Sequence, residues 1–117
     1  ISPRGLSRSV KAAQRLPHII AARVDGTGTA SILEGGNEMT LTDNGTGDYT
    51  LTFGTAFARV PSVVVTPIGA SGDIIASLGT VAAGSVQILL WDGTDGTTAK
   101  DGDFHVIIMG NDTADVI

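Results

Sequence analysis

From residue 18 onward, glycines, aspartates, asparagines and prolines divide the chain into short apolar and β-branched runs. The gaps between the runs are too short for the helices that would connect parallel strands, so the runs are expected to pair as antiparallel strands. This pattern is typical of a β-sandwich or a β-barrel. We predict eight strands, at residues 18–24, 29–33, 38–42, 48–53, 62–67, 73–81, 85–91 and 103–109.

The segment TDNGTGDYTLTF, residues 42–53, shows the strand pattern most clearly. In its second half, apolar residues alternate with threonines, which predicts a half-buried strand. The inward side chains are expected to be Tyr49, Leu51 and Phe53. Asn44 and Gly45 are expected to form the hairpin turn before this strand. Met39 and Leu41 of the preceding strand are then expected to lie opposite the aromatic face.

Two other runs, SVVVTP at residues 62–67 and SVQILLW at residues 85–91, are apolar at consecutive positions. A strand of this kind shows apolar side chains on both faces of its sheet, and the second face needs a cover. We predict that other copies of the chain supply the cover, in a symmetric oligomer. The alternative is that the facing sheet, the loops and the N-terminal residues cover both faces within one chain. The residues expected to pack within or between subunits are Val63, Val64 and Val65.

The 117-residue chain has the length of one domain, and its charge is unevenly distributed. Residues 1–24 carry five of the seven Lys and Arg side chains and no acidic one, which gives +5; the rest carries two basic and twelve acidic side chains, which gives -10. This asymmetry predicts a basic arm at residues 1–17 on an acidic sandwich domain at residues 18–117. Residues 7–16 are expected to form a short helix that Pro17 ends, the alternative being a solvated, frayed terminus.

The basic arm is predicted to dock on an acidic protein surface of a larger assembly rather than on nucleic acid. The acidic domain would repel nucleic acid, and the arm has no aromatic side chains that could stack on bases. The residues predicted to dock are Arg4, Arg8, Lys11, Arg15 and Arg23. No membrane partner is expected, since the chain contains no run of about 18 apolar residues.

No catalytic, metal or cofactor motif is recognisable in the sequence. The chain has no Cys, and Ser71 lies in GASG rather than in the Gly-x-Ser-x-Gly context of a hydrolase nucleophile. The acidic loop at residues 92–103 departs from the alternation of a calcium-binding loop. His18 and His105 have no second ligand at a metal-binding spacing. We therefore predict no metal, no cofactor and no enzymatic activity.

The single tryptophan, Trp91, supports a different function. It stands where an apolar strand meets the polar loop DGTDGTT. An aromatic ring beside polar groups can stack on a sugar ring, which predicts a glycan contact made by Trp91, Asp92 and Asp95. The simpler interpretation is that Trp91 is a core residue at the rim of the domain.

Four motifs within residues 21–110 are DGTGT, TDNGTGDYTLTF, an Ala-Phe pair followed by PSVVV, and a final DFHVIIMG. Together they resemble a β-sandwich domain of tailed-bacteriophage virion proteins, found in tail-fibre or spike ends and in other exposed structural proteins. The resemblance implies a non-enzymatic virion protein, commonly a homotrimer, that sometimes contacts the host surface. We therefore predict an antiparallel β-sandwich of jelly-roll type. Its predicted function is that of a trimeric capsid-decoration, accessory or tail-fibre subunit docked through the basic arm; the alternative is a fibre tip that binds host carbohydrate.

Overall fold

The computed structural model describes residues 18–69 and 73–111, which form two antiparallel four-stranded sheets packed face to face. Within these residues one short 3-10 turn, Gly36–Glu38, is the only helical segment. The strands are β1 (His18–Asp25), β2 (Ser31–Glu34), β3 (Met39–Gly45), β4 (Asp48–Phe53), β5 (Ser62–Ile68), β6 (Ile74–Val81), β7 (Ser85–Asp92) and β8 (Asp103–Gly110). All eight predicted strands are confirmed, and their observed ends differ from the predicted ones by no more than three residues.

The first sheet has the strand order β2-β1-β8-β5, and the second sheet has the order β3-β4-β7-β6. The predicted antiparallel β-sandwich is therefore confirmed. The jelly-roll order predicted with it is not confirmed. Three pairs of consecutive strands, β1 with β2, β3 with β4 and β6 with β7, are neighbours within one sheet. The other four connections cross from one sheet to the other.

The core lies between the two sheets and follows from the period-two alternation of side chains along each strand. On β4 the three predicted inward residues are buried, while Thr52 between two of them is exposed. The largest fully buried side chains are Tyr49, Phe104, Leu51, Ile88, Leu90, Ile108, Val24, Val86 and Val106. The rings of Tyr49 in the second sheet and Phe104 in the first have centroids 5.5 Å apart. This aromatic contact joins the two sheets directly.

The turn between β3 and β4 lies at residues 46 and 47, so the predicted turn at Asn44 and Gly45 is wrong. Asn44 is retained in β3 because its side-chain amide donates to Asp48 Oδ1 (3.1 Å) and to Thr50 Oγ1 (2.8 Å) across the hairpin. Gly45 forms part of a bulge, and Gly47 takes the left-handed backbone conformation of the turn with φ of 64°. The predicted pairing beyond the turn is confirmed, with Met39 opposite Phe53 and Leu41 opposite Leu51.

The basic arm predicted at residues 1–17, with its helix at residues 7–16, lies outside the described residues. The chain enters the described domain at His18, the first residue of β1. His18 pairs with Gly110, the last residue of β8, so the arm joins the domain where β8 ends.

Candidate interaction surfaces

The three Asp- and Gly-rich loops of the sequence meet at one end of the sandwich. Antiparallel pairing brings the end of β1 to the start of β8, and the end of β7 to the start of β6. The loops that leave β1, β3 and β7 therefore lie side by side. Of the ten acidic residues in the described part of the chain, eight lie in or beside these connections, and we call this region the acidic end. They are Asp25, Asp43, Asp48, Asp73, Asp92, Asp95, Asp101 and Asp103.

The buried hydroxyl of Tyr49 connects the loops at the acidic end. It lies 2.8 Å from the carbonyl oxygen of Gly26 and 2.9 Å from Asp101 Oδ1, and it donates its proton to these acceptors. Asp101 Oδ1 also accepts from the amide N–H of Gly47, at 2.7 Å. The β1–β2 loop, the β3–β4 turn and the β7–β8 loop are thus joined through one phenol and one carboxylate. The alternation of DYTLTF predicted that Tyr49 is buried, but the partners of its hydroxyl depend on loops distant in sequence.

Replacing Tyr49 with Phe is expected to lower the free energy of unfolding by about 1–3 kcal/mol, because the carbonyl oxygen of buried Gly26 loses its donor and Asp101 loses one of its two. Burial raises the pKa of Tyr49, and the hydrogen bond to Asp101 raises it further. The folded state therefore retains a proton that the unfolded chain releases near pH 10. The stability that Tyr49 contributes is fully present below pH 10 and is lost as the pH rises above it.

The measurement is urea unfolding of the wild type and Tyr49→Phe between pH 7 and pH 11. The difference between the two free energies of unfolding is expected to shrink above pH 10. Since the chain has only one tyrosine, no other phenol contributes to the difference. A constant difference across this range would contradict the buried, proton-donating hydroxyl.

A carboxyl pair, Asp25 and Asp103, lies where β1 and β8 meet at the acidic end. The Thr27 side chain and backbone N–H bond to Asp25 at 2.7 and 2.9 Å and lower the pKa of Asp25. Burial raises the pKa of Asp103, and the hydrogen bond and negative charge of Asp25 raise it further. Asp103 also accepts from the amide N–H of Gly26 at 3.2 Å. Asp25 therefore ionises first, and the bond from Gly26 to Asp103 holds the β1–β2 loop against β8.

The residues of the predicted glycan contact lie next to one another but on different surfaces. Trp91 is half-buried on the outer face of the second sheet, where its indole N–H donates to Ser77 Oγ at 2.9 Å. Asp92 and Asp95 belong to the loop after β7. Asp92 accepts from the amide N–H of Thr94 at 2.9 Å.

Asp95 stabilises the turns of this same loop. Its carboxylate accepts from the amide N–H groups of Thr97 and Thr98 and from the Thr98 hydroxyl, at 2.9, 3.0 and 2.6 Å. These bonds, led by the one from the Thr98 hydroxyl, lower the pKa of Asp95 to about 2. The described bonds of both loop acids thus serve local turns. The glycan contact stays a prediction.

The outer face of the first sheet carries the most exposed apolar surface among the described strands. Side chains that alternate with the core residues of β1, β8 and β5 point outward, and Ile19 is 54%, Val64 61%, Ile107 46% and Met109 45% exposed. In the strand register Ile19 lies beside Met109, and Ile107 lies between Ala21 and Val64. These neighbours define the apolar patch, which consists of Ile19, Ala21, Val64, Ile107 and Met109.

The three valines predicted to pack within or between subunits divide between the two faces of the first sheet. Val63 and Val65 pack against the core, while Val64 belongs to the apolar patch. Packing of Val64 between subunits stays a prediction. Residues Ile107 and Met109 of the patch were not singled out from the sequence, although the consecutive apolar residues of VIIM at 106–109 carry the same signal as SVVV.

Of the five predicted docking residues, only Arg23 lies among the described residues; Arg4, Arg8, Lys11 and Arg15 do not. Arg23 is exposed on the outer face of the first sheet. Its register partners are Glu34 on β2 and His105 on β8. A row of charged and polar side chains therefore separates the apolar patch from the acidic end. A shallow groove of about 730 Å³ runs along this row and the adjoining part of the patch.

The comparisons with known proteins identify no relative. No protein-family model, no curated protein and no solved structure matches this chain. Within residues 18–69 and 73–111, no group of three or more acidic or histidine side chains is arranged to hold a metal ion. No helix in the same residues is long and apolar enough to span a membrane.

Proposed function

We propose that this protein is a non-enzymatic structural subunit of a bacteriophage particle, present as a homotrimer and docked on the virion through its basic arm. The observation that carries the proposal is that a basic segment precedes a domain whose acidic residues cluster at one end. Residues 1–17 carry four cationic side chains and no acidic one, and they join the domain at His18. The acidic end lies at the other end of β1, beyond Asp25.

This polarity suits a subunit that is fixed at one end and exposed at the other. Opposite charges on two protein surfaces favour their encounter and fix its orientation. A cationic arm on an acidic capsid or tail surface would direct the acidic end away from that surface. The all-β architecture and the motifs that resemble those of virion proteins support the same function, and the apolar patch supports association of several copies.

Replacing Arg4, Arg8, Lys11 and Arg15 together with Ala is expected to abolish incorporation into particles while leaving the fold intact. The four cations supply the charge of the arm, and none lies in the described β-sandwich. The measurement is the number of copies on particles purified from cells that produce the variant, compared with the circular dichroism spectrum of the isolated protein. The control is the double variant Arg59→Ala, Lys100→Ala, which removes the two cations after residue 24. Wild-type occupancy by the four-site variant would refute docking through the arm.

A further inference from the structure

We propose that copies of this chain associate through the outer face of the first sheet, with the apolar patch at the centre of the contact. The inference deepens the proposed function, because it rests on the association of several copies and names the surface that joins them. The partner that binds this surface is another copy of this chain.

The edges of both sheets are poorly suited to association by strand addition. In the first sheet, β2 has only four residues, and β5 contains Pro67, which has no N–H to donate. In the second sheet, both edge strands carry irregular register, at Asp43/Gly45 in β3 and at Leu78/Val81 in β6. Bulges of this kind twist an edge away from further pairing. Association through a sheet face avoids all four edges.

The two outer faces differ in polarity. On β3 and β4 the second sheet presents four threonines, which pair across the strands as Thr40 with Thr52 and Thr42 with Thr50. Beside them Asp48 accepts from the side-chain amide of Gln87 at 2.9 Å. The outer face of the first sheet instead carries the apolar patch, on β1, β8 and β5. On β6 and β7 the second sheet also exposes Ile75, which lies beside the half-buried Trp91. Burial against another subunit removes more apolar surface from water on the first sheet, because its patch extends over three strands.

The size of the first sheet limits how the contact is made. The strands β1, β2, β5 and β8 have 8, 4, 7 and 8 residues. At about 3.3 Å per residue and about 4.8 Å between strands, they give a face of roughly 430 Å² before side-chain relief is counted. A standard interface uses about 800 Å² on each partner. The whole face, with its side-chain relief, is therefore needed. The apolar patch would form the buried core, and the row of Glu34, Arg23 and His105 would form a polar rim.

The polar rim favours a second copy over a foreign partner. Arg23 and Glu34 are register partners on adjacent strands, so the rim carries a cation and a carboxylate side by side. A rotation that relates neighbouring copies can bring Arg23 of one copy to Glu34 of the next, and the same contact then repeats around the ring. A partner of a single charge sign would meet repulsion from one of the two groups.

The test compares two isoleucines that are equally exposed on opposite sheets. Ile107 in the apolar patch and Ile75 on the second sheet are each 46% exposed. Light scattering on the purified full chain is expected to report three times the chain mass of 11.9 kDa for the wild type and for Ile75→Lys. Ile107→Lys is expected to weaken association at least about tenfold and to report one chain mass at the same concentration, because the new ammonium would be buried without a partner. Val64→Lys provides a second variant of the patch, and circular dichroism checks that each variant is folded.

The outcomes separate the interface from the proposed function. A wild-type mass of two copies with the same response to Ile107→Lys would support the interface and overturn the trimer. Dissociation by Ile75→Lys but not by folded Ile107→Lys or Val64→Lys would overturn this interface and leave association intact. A wild type that stays at one chain mass at every concentration would overturn both, while docking through the basic arm would still be judged by particle occupancy.

Discussion

Replacing Phe104 with Ala is expected to lower the free energy of unfolding by about 3–5 kcal/mol, the range measured for large-to-small changes of aromatic core residues. Phe104 is fully buried on β8, a central strand of the first sheet, and its ring reaches Tyr49 of the second sheet. Removing the ring leaves a cavity where the two sheets meet, and backbone hydrogen bonds on both sides of β8 restrain the collapse that would fill it.

The measurement is urea unfolding of the wild type and Phe104→Ala at neutral pH, followed by the fluorescence of the single tryptophan. His105→Ala is the matched control, since His105 is the next residue on the same strand and points outward. Its effect is expected to stay within about 0.5 kcal/mol. Similar losses from the two variants would show that β8 is not packed with Phe104 inward.

Replacing Gly47 with Ala is expected to cost about 2–5 kcal/mol, the sum of a left-handed conformation and an overpacked site. Gly47 has φ of 64°, and a Cβ atom there would lie 2.5 Å from the carbonyl oxygen of Leu90 and 2.8 Å from the backbone nitrogen of Lys100. Its own carbonyl accepts from the Leu90 N–H at 2.8 Å. The turn therefore cannot move away from β7 without losing that bond.

Gly96→Ala separates the two contributions. Gly96 has φ of 69°, but a Cβ atom added to it would meet no atom within 4 Å. The control is expected to cost about 1–2 kcal/mol from backbone conformation alone. Thermal and urea unfolding of both variants would measure the difference. Equal losses at the two glycines would show that Gly47 is not held against the β7–β8 loop.

If the predictions for Phe104 and Gly47 hold, the acidic end is a rigid, tightly packed surface. Gly47 and Tyr49 hold the β3–β4 turn against the β7–β8 loop through Asp101. Asp103 of β8 holds the β1–β2 loop by accepting from the Gly26 N–H at 3.2 Å. A surface built in this way presents its carboxylates at constant positions. Constant carboxylate positions are what the proposed function requires of the end that faces away from the particle.

Sequence reasoning was accurate wherever a local pattern decides the structure. The alternation of DYTLTF predicted which side chains of β4 enter the core, because successive residues of a strand point to opposite faces. The prediction of the β3–β4 turn at Asn44 and Gly45 was wrong. Asn44 and Gly45 are typical turn residues, but cross-strand bonds from the Asn44 amide stabilise a longer β3, and Gly47 makes the turn. The energies of competing local turns are similar, so contacts across the hairpin decide between them.

The sequence by itself determined the number of strands, the inward and outward faces of β4 and the separation of a basic segment from an acidic domain, because each depends on neighbouring residues alone. Only the tertiary structure decided which strands pair, and therefore which residues share a surface. Antiparallel pairing collects three acidic loops from distant positions at one end, and it places Ile19, Ile107 and Val64 on one face of the first sheet. Such neighbours are set by long-range backbone hydrogen bonding and by the burial of a common core, which no local pattern specifies.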